Sequence, residues 1–157
     1  MPSEPRWLTA DHAIRFNERA VEATGEPFQV RDRGLLESAM DSPKNHWHHG
    51  EHRVPYLGAH LLLSVARNHP FAQGNKRVAL LVADAFLTVN QHRLQHPDEG
   101  FADLILSTLT REIVESEFLD RFARAVASPV PPAVRRASEI EREMRSGLFS
   151  RAPTNKK

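Results

Sequence analysis

His69-Pro70-Phe71-Ala72-Gln73-Gly74-Asn75-Lys76-Arg77 runs straight into Val78-Ala79-Leu80-Leu81-Val82-Ala83-Asp84-Ala85-Phe86-Leu87-Thr88-Val89. The second half is apolar on every helical face, with Asp84 and Thr88 as its only polar side chains. A helix of that kind belongs at the centre of a bundle, because any outward face would waste apolar surface in water. The first half is its entry: Gly74 opens a turn closed to other residues, and Asn75 is suited to cap a helix beginning at Lys76.

Outward from this pair, Tyr56 to Arg67 carries Leu57, Leu61, Leu62, Leu63 and Val65, which cover most of a helix surface and predict a second, largely buried helix. It should close at His69, since a residue before proline is disfavoured in the α region. Upstream, Thr9 can cap a helix carrying Ile14 and Val21 that Gly25 ends and Pro27 bars from continuing. Gly34 to Met40 reads as a short helix stopped before Pro43. Lys44 to Pro55 is polar, rich in histidine and aperiodic, which predicts a loop or a small hairpin near Trp47. Downstream, Asn90-Gln91-His92 ends the central helix. A further helix starts at Asp98 and carries Phe101, Leu104, Ile105, Thr108 and Leu109, and another runs from about Val114 to Ala127 on Phe118, Leu119, Phe122 and Val126. Alternating β-like runs are few, so the expected class is all-α, a compact helical bundle.

The 157 residues, 40% hydrophobic and 26% charged, suit one core-forming domain. We assign it to residues 1–128. Residues 129–157 read as a proline-rich linker followed by a basic, partly disordered tail in which Ser138 to Met144 can form an exposed helix. That tail holds seven Lys or Arg against three Glu, which leaves 14 basic and 17 acidic residues in 1–128. It has no interleaved aromatics, so nucleic-acid binding is not expected of it. The absence of cysteine removes disulfide frameworks and thiolate metal sites. No apolar run approaches the roughly 20 residues that cross a bilayer, and the amino terminus lacks a basic-then-apolar signal pattern. The expected location is the cytoplasm, with no membrane partner.

The loop also concentrates chemistry. The first N–H groups of the helix after Gly74 have no internal acceptors and carry the positive end of its dipole, so they form a place for an anion. Lys76 adds a point charge there, and Arg77 a planar fork that can grip two phosphate oxygens. An imidazole is largely neutral near pH 7, so His69, one turn of chain away, can take a proton from a hydroxyl that attacks a bound phosphate. Phe71 is expected to anchor the loop in the core. The spacing of a P-loop, Gly-x-x-x-x-Gly-Lys-Ser/Thr, is absent.

These nine residues resemble the signature of the Fic/Doc superfamily, His-x-Phe-x-acid-x-Asn followed by Gly or Lys and then Arg, and Lys76 resembles the death-on-curing, or Doc, branch. Gln29-Val30-Arg31-Asp32-Arg33-Gly34-Leu35-Leu36-Glu37-Ser38-Ala39-Met40-Asp41-Ser42-Pro43 is similar to that branch's amino-terminal segment, and Asn90-Gln91-His92-Arg93-Leu94 to the end of its central helix. The resemblance covers residues from about 7 to 127. It implies that His69 deprotonates a target Ser or Thr, and that Gly74, Asn75, Lys76 and Arg77 make the anion-binding turn, with Lys76 and Arg77 also serving catalysis. It further implies ATP as substrate, γ-phosphate transfer to elongation factor Tu, arrest of translation, and a cognate antitoxin as partner. The alternatives are a Fic-type AMP transferase or a catalytically impaired nucleotide- or partner-binding module.

The last alternative follows from Gln73, which stands where the family has the acid expected to hold Mg²⁺. An amide oxygen ligates a hard cation without adding negative charge, so binding there should be weak. The resemblance also makes the segment with Trp47, His48 and His49 the flap that holds the target. A zinc site among His46, His48, His49 and His52 is disfavoured, because no carboxylate or thiolate completes the spacing. Thr108 to Glu112 has the spacing of the inhibitory Ser/Thr-x-x-x-Glu-Gly/Asn helix of some Fic proteins, but Ile113 follows it.

Overall fold

A computed structural model of the chain describes residues 3–95 and 99–127. The expected linker, tail and Asp98 helix start lie outside them. Among the described residues six helices are present: α1 Ala10–Thr24, α2 Arg33–His48, α3 Val54–Asn68, α4 Asn75–Val89, α5 Glu99–Leu109 and α6 Glu115–Arg124. β1 Arg93–Leu94 pairs antiparallel with β2 Val126–Ala127, which ties the end of α4 to the end of α6. The class is all-α with this two-stranded clasp. None of the described helices is long and apolar enough to cross a membrane.

The core is built on α3 and α4, as their apolar patterns require. Leu57, Leu61, Leu62, Leu63 and Val65 of α3 and Val78, Val82, Phe86 and Leu87 of α4 are buried, and α3 also packs on α2 and α6. Asp84 is buried with them. Phe118 and Phe122 of α6 close the far side. Thr9 caps α1 as expected, in a capping box where its N–H donates to His12 Nδ1 at 2.9 Å, and Gly25 ends the helix at φ 77°.

α3 and its neighbours meet closely at Gly58. A Cβ there would lie 3.0 Å from Leu87 Cδ2 and 3.5 Å from Phe122 Cε1, and neither side chain has room to yield, since both are fully buried. The Gly58→Ala protein is therefore expected to unfold about 1–2 kcal/mol more easily in urea. Overpacking outweighs the gain in helix propensity of about 1 kcal/mol.

The largest departure from the sequence reading is α2. It does not stop before Pro43 but continues through it to His48, so no hairpin forms at Trp47 and residues 44–48 are helical. Pro43 removes one backbone donor. Tertiary contacts made by the following turn offset that loss: Trp47 packs edge-on against Trp7 at 6.4 Å between ring centroids, and His46 stacks on His60 at 3.6 Å. α6 also ends earlier than expected, at Arg124, and the chain straightens into β2.

His60 titrates abnormally. Burial, then the facing His46, holds its pKa down from 6.5 to about 4, against the opposing pull of Glu115 and Glu51. Because the unfolded chain binds the extra proton between pH 6.5 and 4, stability is expected to rise with pH across that window and to be lost on acidification. Urea titrations should show a loss of about 1–3 kcal/mol between these pH values, and His60→Gln should flatten it.

Candidate active site

The loop between α3 and α4 is pinned along residues 29–31. Below it, Phe71 is buried and forms an isolated antiparallel bridge with Val30. Ala72 N–H donates to the Gln29 carbonyl at 3.0 Å, and Arg31 N–H to the Pro70 carbonyl at 2.7 Å. The expected anchoring role of Phe71 is what the structure shows. Residues 29–31 thus run along the loop as a one-rung strand.

Asn75 holds the loop from within. Its Oδ1 accepts from Phe71 N–H at 3.0 Å, and its Nδ2 donates to the Phe71 carbonyl at 2.8 Å. These two bonds fix which end of the amide is nitrogen. The sequence reading made Asn75 the cap of α4. The structure corrects this: Gly74, left-handed at φ 81°, is the N-cap, and Asn75 is the first helical residue with no side-chain capping bond. An Asn at N1 points back along the loop rather than at its own helix, so it serves the turn. The first bond of α4 runs from Val78 N–H to the Gly74 carbonyl. The N–H groups of Asn75, Lys76 and Arg77 are therefore left without acceptors inside the helix, at the positive end of its dipole.

His69 ends α3 in the left-handed region, φ 47° and ψ 54°. For a side chain larger than glycine this is strained by about 1 kcal/mol or more. Its ring is directed to the loop: Nδ1 lies 3.4 Å from Asn75 Nδ2, which can only donate. The contact is long, and it brings the imidazole beside the first residue of α4. His69 and the N-terminus of α4 are thereby adjacent, linked through Asn75.

The two cations part company. Lys76 is exposed, whereas the half-buried Arg77 donates from Nη2 to Glu26 Oε1 at 2.6 Å. Glu26 also accepts from the Thr24 hydroxyl at 2.9 Å, and that bond first, with Arg77, lowers its pKa against the effect of burial. Glu26 lies 51 residues from Arg77 and carries no pattern of its own, so sequence reasoning missed it. Asn17 was missed as well. It is 1% exposed, and its Nδ2 donates to the Gln73 carbonyl at 2.8 Å. A signal existed, because Ala10, Ala13, Ala20 and Val21 line the buried face of α1 and Asn17 is the one polar residue on it.

Trp47, His48 and His49 are not brought to this loop. α2 is antiparallel to α3: Asn68 Nδ2 reaches the Leu35 carbonyl, while His46 meets His60. His46 therefore sits beside α3 nine residues before His69, roughly 13 Å at 1.5 Å per residue, and Trp47 to His49 continue towards the other end of the helix. The segment along the loop is 29–31. Among the described residues no three His, Asp or Glu come together as a metal site. The loop itself has no carboxylate, Gln73 offers one neutral oxygen, and Glu26 is held by Arg77. This donor set does not suit Mg²⁺, which is held by one or two carboxylates together with substrate phosphates.

The model of the Fic/DOC family matches residues 7–87, the segment that builds α1 to α4 and this loop. The chain belongs to the Fic/DOC family. Within it, similarity runs to the Doc branch: over 71 residues the chain is 42% identical to "Toxin Doc" of Mycolicibacterium smegmatis (strain ATCC 700084 / mc(2)155), a match covering 43% of this chain and 54% of that protein. The chain thus spans about half the length of that curated relative. As a Fic/DOC protein it departs from the family signature at Gln73.

Proposed function

We propose that this protein is a Doc-type toxin that transfers the γ-phosphoryl group of ATP to a Ser or Thr hydroxyl of a translation factor of the elongation factor Tu type. A cognate antitoxin would hold it in check in the cytoplasm. The observation that carries the reading is the meeting of the His69 imidazole with the open N-terminus of α4 across Asn75. Similarity to a protein named Toxin Doc supports the choice of class.

In this reading the triphosphate lies on the N–H groups of Asn75, Lys76 and Arg77, with the Lys76 ammonium against its oxygens. The acceptor hydroxyl enters beside residues 29–31. His69 takes the hydroxyl proton as the oxygen bonds to the γ-phosphorus, and the bond from that phosphorus to the bridging oxygen breaks to release ADP. Positioning and charge neutralisation supply most of the acceleration. Arg77 enters as a partner of Glu26 that stiffens the cradle.

Incubating the protein with cell lysate and ATP labelled at either the γ or the α phosphate decides the chemistry. Label from γ on a protein supports the kinase, and label from α assigns AMP transfer instead. A second reading, a nucleotide-binding module of low turnover, is favoured by Gln73 and by the engagement of Arg77 with Glu26. It predicts ATP binding with neither label transferred.

A further inference from the structure

We propose that Arg31 is a positioning residue for His69, setting the imidazole over the loop through the backbone of the residue that carries it. The proposal rests on the reading of His69 as the base. Arg31 Nε donates to the His69 carbonyl at 3.0 Å, and Nη2 of the same guanidinium donates to the same oxygen. Arg31 N–H and Asp32 N–H both donate to the next carbonyl, Pro70, at 2.7 and 3.1 Å. Every hydrogen bond to the 69 and 70 carbonyls among the described residues thus comes from Arg31 and Asp32.

The need for such a clamp is local. His69 is a left-handed residue followed by a proline, so the peptide after it has no N–H with which to anchor itself. Its carbonyl is at the negative end of α3, where a cation is favoured. Two N–H groups of a rigid fork on one oxygen hold the His69 carbonyl in place more firmly than a single ammonium contact would. That carbonyl and the His69 side chain hang from the same residue, so fixing one limits where the other can point. Arg31 is itself exposed and lies outside the hydrophobic core, so the clamp is separable from the fold.

The test uses the full chain with Arg31→Ala and Arg31→Lys. In wild type, side-chain ¹⁵N spectra should show His69 mainly as the tautomer with its proton on Nε2, since Nδ1 faces the Asn75 N–H. In Arg31→Ala the two nitrogen shifts should move toward the average of a free histidine, with Arg31→Lys in between. The urea midpoint should match that of wild type, and the dissociation constant for ATP measured by calorimetry should stay within about threefold of it. Where transfer is measurable, kcat should fall at least tenfold with KM for ATP unchanged. Unchanged His69 shifts in Arg31→Ala overturn the proposal, as does a general loss of core resonances or stability in both variants. The spectra need no turnover, so a chain that transfers nothing would sink the kinase reading and still decide this one.

Discussion

His69→Ala is expected to reduce transfer by about 10²–10⁴-fold while leaving ATP binding and stability nearly unchanged. The size of the loss follows from what a positioned base contributes to a proton transfer in the transition state. The selectivity follows from the geometry. The imidazole is exposed, its one side-chain hydrogen bond among the described residues is the 3.4 Å approach to Asn75, and none joins it to the α4 amides that would hold the triphosphate. Alanine also leaves the backbone carbonyl that Arg31 grips. Transfer measured with γ-labelled ATP, beside calorimetric ATP binding and urea unfolding of the same variant, checks all three parts. A His69→Ala protein that transfers as fast as wild type would remove His69 from the mechanism.

Asn75→Leu is expected to have the largest effect on the loop, costing about 2–5 kcal/mol in stability. The side chain is 8% exposed and satisfies both the N–H and the carbonyl of the buried Phe71. Leucine matches its bulk but leaves two buried polar groups without partners, each worth about 1–3 kcal/mol. Against a total of about 5–15 kcal/mol for a domain, that is a large share, and it should appear as a shifted urea midpoint. Asn75→Asp separates the two bonds. It keeps an acceptor for Phe71 N–H but sets a carboxylate against the Phe71 carbonyl and beside the N-terminus of α4, where the proposed triphosphate would lie. An intermediate loss of stability with a sharp drop in ATP affinity is therefore expected.

The legible parts of the molecule were those with local causes. The uniform apolarity of Val78 to Val89 has no other solution than a central helix, and α4 is buried on almost every face. Thr9 and Gly25 bound α1 by chemistry confined to four or five residues. The illegible parts depended on partners far along the chain. Pro43 reads as a helix breaker, yet Trp7 and His60 reward the turn beyond it. Arg77 reads as a phosphate grip, yet Glu26 holds it. Asn75 sits one residue inside the helix it was expected to cap, because the geometry of Gly74 supplies the cap and Phe71 supplies the side chain's partners.

The sequence by itself determined the class, a helical bundle around two apolar helices, and the identity of the loop that joins them, because periodicity, capping and turn formation act over a few residues. Only the tertiary structure decided how that loop is armed. Packing brings residues 29–31 alongside 70–72, Asn17 beneath Gln73 and Glu26 onto Arg77. Such pairings join positions dozens of residues apart through single hydrogen bonds, which leave no periodic trace in the chain.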